Sequence, residues 1–422
     1  MFKKFMPVLA ILLIAAFVLS ACQPAAEVVP TEEPAVVEVT EAPVETLKGT
    51  VTIWQAWKEA EIASLNEVIA AFQAANPDVT FDVLYVPFDD LRGKFETAAA
   101  TGGGPSVLIG SADWGPALFD AGLIADVTAD ASADFLATIN PAALGATQYK
   151  GALIGLPQTV KGVVLFRNKS IIAEPAADVD DFIAKATAAT AGDVVGADFE
   201  YGFFFSAAHL DAVGGALMDA EGNPTFNDAK GVEWVELMKK IQTAGIPMES
   251  YNDNDVNSFK AGKAGWIIDG TWNATSLAES IGADNLAIDT WPKGFSGYTQ
   301  TENIYLSANV VDDDRAASWA FMEYFLSAEA QGILAQVGTA DAPKAGHIPA
   351  TLGVEVTDPM LQQGAAALAG GAAFPVIPEM GAYWDPMNNA LLSAITEGKD
   401  PAELLQAAFD AVTAKIVEIR GQ

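Results

Sequence analysis

The chain has 422 residues, 51% of them hydrophobic and 18% charged, and its 55 acidic against 22 basic residues give a formal net charge of −33. That much apolar material excludes disorder throughout, and at roughly 100 to 200 residues per domain it provides two or three folded units. The charge excludes electrostatic capture by nucleic acid or an anionic lipid surface. One cysteine and two histidines exclude a disulfide framework, a Cys/His nucleophile and a histidine-rich zinc site.

The opening "MFKKFMPVLAILLIAAFVLSAC" places Lys3 and Lys4 before an uncharged apolar run from Pro7 to Leu19 and ends in small residues. This is the three-part layout of an export signal, predicted over residues 1–22. The apolar run is short for a membrane core about 30 Å thick, which counts against a retained anchor helix. Leu19-Ser20-Ala21-Cys22 resembles the lipobox of bacterial lipoproteins, and the resemblance implies that Cys22 is lipidated and becomes the new N-terminus. The acyl chains would then hold the protein to a membrane, each buried methylene contributing about 0.8 kcal/mol. Residues 23–47 contain four prolines, six glutamates and no basic residue. Such a segment buries too little surface to offset its ordering entropy and reads as an extended acidic tether.

The folded body is predicted from residue 48 to residue 422. "GTVTIW" at 49–54 is a strand candidate, and in the segment after it Ile62, Leu65, Ile69 and Phe72 recur at helical steps until Asn76-Pro77 stops the helix. "VTFDVLYV" at 79–86 completes a β-α-β opening and predicts a parallel sheet with helices on its faces. "SVLIGS", "ALIGLP", "GVVLFR", "AGWIID", "LAIDTW" and "IYLSANV" continue the alternation, and "RAASWAFMEYFLSAEAQGILAQV" predicts one helix over 315–337. In the last helix Asp400 can cap, Pro401 suits the first turn, and Leu405, Phe409, Val412, Ile416 and Ile419 share one face. "TGGGPS" at 101–106 lacks the Gly-Lys-Ser/Thr of a P-loop, and "YNDNDVNSF" at 251–259 fails the calcium-loop pattern for want of a glycine at position six.

Six stretches in order carry a resemblance: "TIWQAW" at 52–57, the long segment 94–128 around "GSADWG", "YKGALIGLPQTVKGVVLFRNKSII" at 149–172, "GGALMDAEGNPTFND" at 214–228, "FKAGKAGWIIDGTW" at 259–272 and "VIPEMGAYWDPMNNAL" at 376–391. Together they resemble the extracellular solute-binding proteins of ABC importers, the family 1 sugar-binding group typified by maltose-binding protein. The resemblance implies an α/β, two-lobed periplasmic-binding-protein-like fold of type II, with a ligand cleft between lobes joined by three hinge crossings. The crossings are expected near 158–163, 303–307 and 343–348. Residues 48–160 and 305–346 would form the N-terminal lobe, and 161–304 and 347–422 the C-terminal lobe.

Sugars expose flat C–H patches alongside hydroxyls, so a pocket needs aromatic faces and fixed polar groups. Of nine tryptophans, Trp234 and Trp319 lie on helical faces suited to a core, whereas Trp54, Trp57, Trp114, Trp272 and Trp384 stand at strand ends or turns, where open α/β sheets bind ligands. In "AGWIIDGTW" Ala264, Trp266 and Ile268 share one strand face, Gly270 lets the chain turn, and Trp272 is expected at the cleft lip. The matching to the family implies further contacts from Lys58, Asp113, Lys161, Phe205, Tyr383 and Asp385. Lys58, Trp114 and Lys161 depart from the aspartate, arginine and glutamate of maltose-binding protein, which puts the particular sugar in doubt. Asp113 equally suits a helix cap, His209 a ring contact or a structural histidine, and Glu302 and Asn303 a ligand contact or a hinge anchor. Phe203, Phe204 and Phe205, with His209, lie where the second lobe of the family usually contributes ring contacts.

The expected protein is an exported substrate-binding subunit, lipid-anchored at the outer face of the bacterial cell membrane or in a periplasm. It would act as a monomer, without cofactor or metal, and hand a carbohydrate to a membrane permease and its ATPase. The alternatives are a secreted glycoside hydrolase, which needs two carboxylates at a defined separation, and a binder of a polyol, glycerol phosphate or polyamine.

Overall fold

The computed structural model describes residues 46–339 and 342–421; the expected export signal, Cys22 and tether residues 23–45 lie outside the described residues. Strand β1 (Gly49–Gln55) leads through α1 (Glu59–Ala75) to β2 (Val79–Tyr85), and α2 (Phe88–Ala99) leads to β3 (Val107–Ser111). β1 pairs in parallel with both β2 and β3, because each return passes through a helix that covers the sheet. Leu65, Val68, Ile69 and Phe72 supply the buried face of α1, and Asn76 before Pro77 leaves the helical region at φ −132°.

The chain continues through β4 (Leu156–Asn168), α3 (Val179–Ala189), β5 (Val195–Glu200), α4 (Ala229–Thr243), β6 (Met248–Glu249), α5 (Asn254–Lys260), β7 (Ala264–Gly270), α6 (Ala274–Ile281), β8 (Leu286–Asp289) and β9 (Tyr298–Leu306). It closes with α7 (Asp312–Phe325), α8 (Ala328–Leu334), β10 (Ile348–Pro349), α9 (Pro359–Ala369), α10 (Trp384–Thr396) and α11 (Pro401–Ile419).

The main sheet runs β2-β1-β3-β9-β4-β7-β5-β6. Two strands carry it from one end to the other. β9 pairs antiparallel with β3 through Glu302–Leu306 and with β4 through Thr299–Ile304. β4 in turn pairs with β7 through Val163–Arg167 and with β8 through Leu165–Asn168. The ladder between β9 and β4 shifts register between Glu302 and Asn303, and such an irregularity bends a strand and re-aims its side chains.

The two largest apolar cores sit on different parts of the sheet and make this a two-lobed α/β fold. One gathers Val51, Ile53, Leu65, Ile109, Phe321 and Phe325. The other gathers Phe182, Phe199, Trp234, Trp266, Tyr383, Leu405 and Val412. In the second lobe Arg167 Nε donates to both Asp289 oxygens at 3.0 and 2.8 Å, and Trp266 Nε1 donates to Asp289 Oδ2 at 3.0 Å.

The helix expected over 315–337 is two helices. Ser327 adopts an extended conformation and its hydroxyl accepts the Ala330 N–H, so it opens α8 as a cap. Ser327→Ala is expected to lower stability by about 1 kcal/mol, measured as a shift of the urea midpoint with an unchanged slope. In α11 Asp400 caps as expected, but Ile419 is 44% exposed because it lies in the last turn, beyond the buried stripe that ends at Ile416.

Candidate functional site

The carboxyl ends of β1, β2 and β3 form the rim of the first lobe. β3 ends at Ser111 and runs into a turn of 3-10 helix, Ala112–Trp114. Asp113 is buried and accepts a hydrogen bond from Ser111 Oγ at 2.5 Å. Burial raises its carboxyl above the ordinary range, and that hydrogen bond only partly opposes the shift. Its side chain caps no helix, because it already points back to Ser111. The Trp114 ring folds over Gly110, where a Cβ would collide with it, and packs 5.0 Å from Phe88. Phe88 is 48% exposed. Lys58 Nζ sits 5.8 Å from the Tyr85 ring centre, and Lys94 Nζ 4.9 Å from that of Trp54.

Between the lobes, β4 and β9 place Lys161 and Glu302 in contact, with Nζ donating to Oε1 at 2.6 Å. The other oxygen of Glu302 accepts from Trp57 Nε1 and Gln158 Nε2, both at 2.8 Å. Burial alone would raise the Glu302 carboxyl, but the Lys161 charge and the donated hydrogen bonds outweigh it and hold the group below its ordinary value. Beside this pair lie Glu61, from the first turn of α1, and His347. Burial, with the Glu302 charge added, pushes Glu61 up to about 7, while burial pushes His347 down to about 4. Lys161, Trp272, Glu302, Glu61 and His347 line a space of about 30 Å³, enough for a water molecule but not for a sugar ring.

On the second lobe β7 ends at Gly270 and the chain turns through Thr271–Asn273. Trp272 is 38% exposed and lies 5.7 Å from Lys161 Nζ. Its indole covers Gly270 so closely that a Cβ there would enter the ring. Phe204 stands between two tryptophans, 6.4 Å from Trp272 at an interplanar angle of 29° and 6.2 Å from Trp384 at 24°. The three rings form one shelf, and Phe205 packs at its edge, 5.5 Å from Phe204. Gly270→Ala is expected to displace the Trp272 ring and weaken binding of whatever stacks on it by about 1 kcal/mol, roughly fivefold, measured by titration calorimetry against the parent chain.

The structure therefore brings Lys161, Glu302 and Trp272 together, sets Trp384 and Phe205 on the same shelf, and puts Trp54 and Lys58 at the strand ends of the first lobe, where Asp113 and Trp114 are buried. Other expected site residues are buried or lie apart from these. Trp57 is buried against Phe325 and His347. His209 is fully buried beside Phe199, Trp291 and Phe295, its Nδ1 accepts the Ser296 N–H at 3.1 Å, and burial lowers it to about 4. Asn303 accepts from Thr301 Oγ1 and donates to the Tyr305 hydroxyl. Tyr383 is buried and donates to the Gly222 carbonyl at 3.0 Å. Asp385 is exposed and paired with Lys415 at 3.0 Å. These placements withdraw His209, Asn303 and Tyr383 from the cleft surface and set Trp57 behind Glu302, to which it donates. Two residues join the site that the sequence did not single out for it, Glu61, at a helical position read only for its apolar neighbours, and His347; of the three phenylalanines expected to supply ring contacts, Phe204 is the one that packs against both tryptophans.

Two α/β lobes linked by continuous strands, with an aromatic shelf and a charged junction between them, define a two-lobed ligand-binding protein of the type II class. Residues 67–367 match the profile of the bacterial extracellular solute-binding proteins, and the chain belongs to that family. It is a binding protein, not an enzyme. It is 24% identical over 389 residues to the maltotriose-binding protein of Pyrococcus abyssi, covering 88% of this chain and 81% of that one. It is also 24% identical over 388 residues to the galactooligosaccharide-binding protein of Bacillus subtilis, covering 85% and 88%. A maltooligosaccharide ABC transporter solute-binding lipoprotein of Streptococcus pneumoniae is 24% identical over 301 residues, or 63% of this chain and 66% of that one. The fold matches the maltose/maltodextrin-binding domain MalE of Bdellovibrio bacteriovorus, solved bound to maltotriose, with a TM-score of 0.78 at 22% identity over 87% of this chain and 100% of that one.

Proposed function

We propose that the protein is the extracytoplasmic substrate-binding subunit of an ABC importer, that it takes an oligosaccharide between its lobes, and that it delivers it to a membrane permease. The observation that carries this reading is the shelf of Trp272, Phe204 and Trp384 beside the Lys161–Glu302 pair. Flat rings suit the C–H faces of pyranoses, and an adjacent fixed charge pair suits their hydroxyls. Relatives named for maltotriose, galactooligosaccharides and maltooligosaccharides support the same class.

In this reading residues 48–160 with 305–346 and residues 161–304 with 347–422 move as two bodies about the through-running strands. The narrow space at Lys161, Trp272 and Glu302 requires the lobes to part before a sugar enters, and hinge closure then covers it. The contacts proposed are Trp272, Trp384, Phe204, Phe205 and Lys161 from the shelf side, and Asp113, Trp114, Trp54 and Lys58 from the rim, with Glu302 as the hinge partner of Lys161. Lipidation of Cys22 and monomeric action complete the proposal, and a lipoprotein among the relatives supports the anchor.

A thermal-shift panel of malto-, cello-, xylo- and manno-oligosaccharides tests it. One series is expected to raise the unfolding midpoint saturably, with no new reducing ends formed and a smaller radius of gyration at saturation. No stabilisation by any series, or turnover of one, defeats the reading.

A further inference from the structure

The two turns that carry the shelf are held from below in the same way. β5 ends at Glu200, whose Oε1 accepts the Gly202 N–H at 2.5 Å. Its Oε2 accepts the Tyr251 N–H at 3.1 Å, and the Tyr251 hydroxyl accepts the Phe204 N–H at 3.0 Å. Near the end of β7 Asp269 repeats the device, with Oδ1 accepting the Gly270 N–H at 2.5 Å and Oδ2 accepting from Asn273 Nδ2 at 2.7 Å. Phe204 and Trp272 therefore each hang from a strand-end carboxylate that is at least 95% buried. Asp255, in the first turn of α5, is buried too, and its charge acts on Glu200 while that of Asp269 acts on it. Tyr251 sits at φ +49°, a left-handed conformation that costs a bulky residue about 1 kcal/mol or more and persists only where its surroundings enforce it.

We propose that Glu200, Asp269 and Asp255 form one positioning unit that sets the placement of the Phe204 and Trp272 rings, and with it the affinity for ligand. The affinity part rests on the carbohydrate reading above.

The leading charges felt by the unit are acidic with one exception. β5 contributes Asp198 and Glu200, β6 contributes Glu249, the turn before α5 contributes Asp253, α5 contributes Asp255, and β7 contributes Asp269; among the described residues Lys260 is the one cation with a leading effect, and it acts on Asp269. One oxygen of Asp198 is buried without a hydrogen-bond partner among the described residues. So many carboxylates cannot all ionise in a low-dielectric interior. Burial pushes Glu200 up to about 9, and burial with the Asp269 charge pushes Asp255 up to about 8. Burial likewise raises Asp269 to about 6.

These groups are raised above their unfolded values, so their contribution to stability is full in acid and is lost as pH rises through the folded values. Between about pH 6 and pH 9 charge accumulates beneath the shelf, and the carboxylates relieve it by moving toward water. The turns bearing Phe204 and Trp272 move with them.

The test follows the tryptophan emission of the sugar-free full chain from pH 5 to pH 10, then repeats the series with maltotriose by calorimetry. Emission is expected to change between about pH 6 and pH 9 in the parent, and the change is expected to vanish in Trp272→Phe. Its part above about pH 7 is also expected to vanish in the double variant Glu200→Gln, Asp255→Asn, whose amides keep one acceptor oxygen each but cannot ionise, so that only Asp269 is left to titrate, near pH 6. Maltotriose affinity is expected to fall about tenfold between about pH 7 and pH 9 in the parent and to stay level over that range in the double variant. Emission that does not titrate, or that titrates equally in the double variant, overturns the proposal. Emission that titrates as expected while maltotriose binds at no pH upholds the positioning unit and overturns the ligand reading.

Discussion

Trp272→Ala is expected to weaken sugar binding by about 1 to 3 kcal/mol, roughly 5- to 150-fold, while leaving the unfolding midpoint of the sugar-free protein close to that of the parent. The two halves of this expectation come from the same exposure. With 38% of its surface open, the indole contributes less to the lobe's packing than a core tryptophan does. Phe204 keeps its stack on Trp384 after the substitution. The lost ring is the one nearest to Lys161, so what disappears is the apolar wall beside the charge pair. Titration calorimetry with the sugar chosen by the thermal panel measures the loss, and thermal unfolding without sugar measures the cost to the fold. An unchanged affinity would reject the stacking assignment. A collapse of the sugar-free protein would instead identify Trp272 as a structural ring.

The order of strands and helices was legible because nearly every element carries its own period and its own stop. α1 ends where Pro77 forces it, and α11 starts where Asp400 caps it. The break at Ser327 was not legible, since Leu326 and Ser327 interrupt no apolar pattern and only the cap geometry reveals two helices. The lip position of Trp272 followed from alternation along β7 and the glycine after it. Tyr383 and Trp384 show the limit of such reasoning. They are adjacent and were read together, yet one is fully buried with its hydroxyl spent on Gly222 and the other lies in the shelf. At a helix start neighbouring side chains diverge by about 100°, and which of them meets the cleft depends on the packing of α10 and not on the sequence. The anchoring carboxylates Glu200 and Asp269 were illegible for a related reason. An acid at the end of an apolar strand reads as a solvated terminus, and only the fold shows that both are buried.

Glu302→Ala is expected to cost about 3 to 5 kcal/mol of stability, the usual effect of removing one partner of a buried ion pair. The pair lies on the two strands that join the lobes, with side chains 17% exposed at Lys161 and 6% at Glu302. Removing the carboxylate strands the Lys161 ammonium, the Trp57 indole N–H and the Gln158 amide together, since all three donate to it. Gln158 already has its carbonyl oxygen buried without a partner among the described residues, so losing the Nε2 contact to Glu302 leaves its amide unpaired at both ends. Glu302→Gln should lose less, because the amide oxygen still accepts one or two of these donors while the Lys161 charge stays unpaired. Urea unfolding of the two variants separates the terms. The difference between them measures how much of the junction depends on acceptors and how much on charge, and equal, small losses would show that the strands hold the lobes without this pair. A double variant adding Lys161→Met to Glu302→Ala completes the comparison. If desolvated charge is the main cost, removing both charges restores a large part of the stability lost when only one is removed. Sugar affinity of that double variant, measured alongside, then shows whether Lys161 serves the ligand as well as the hinge.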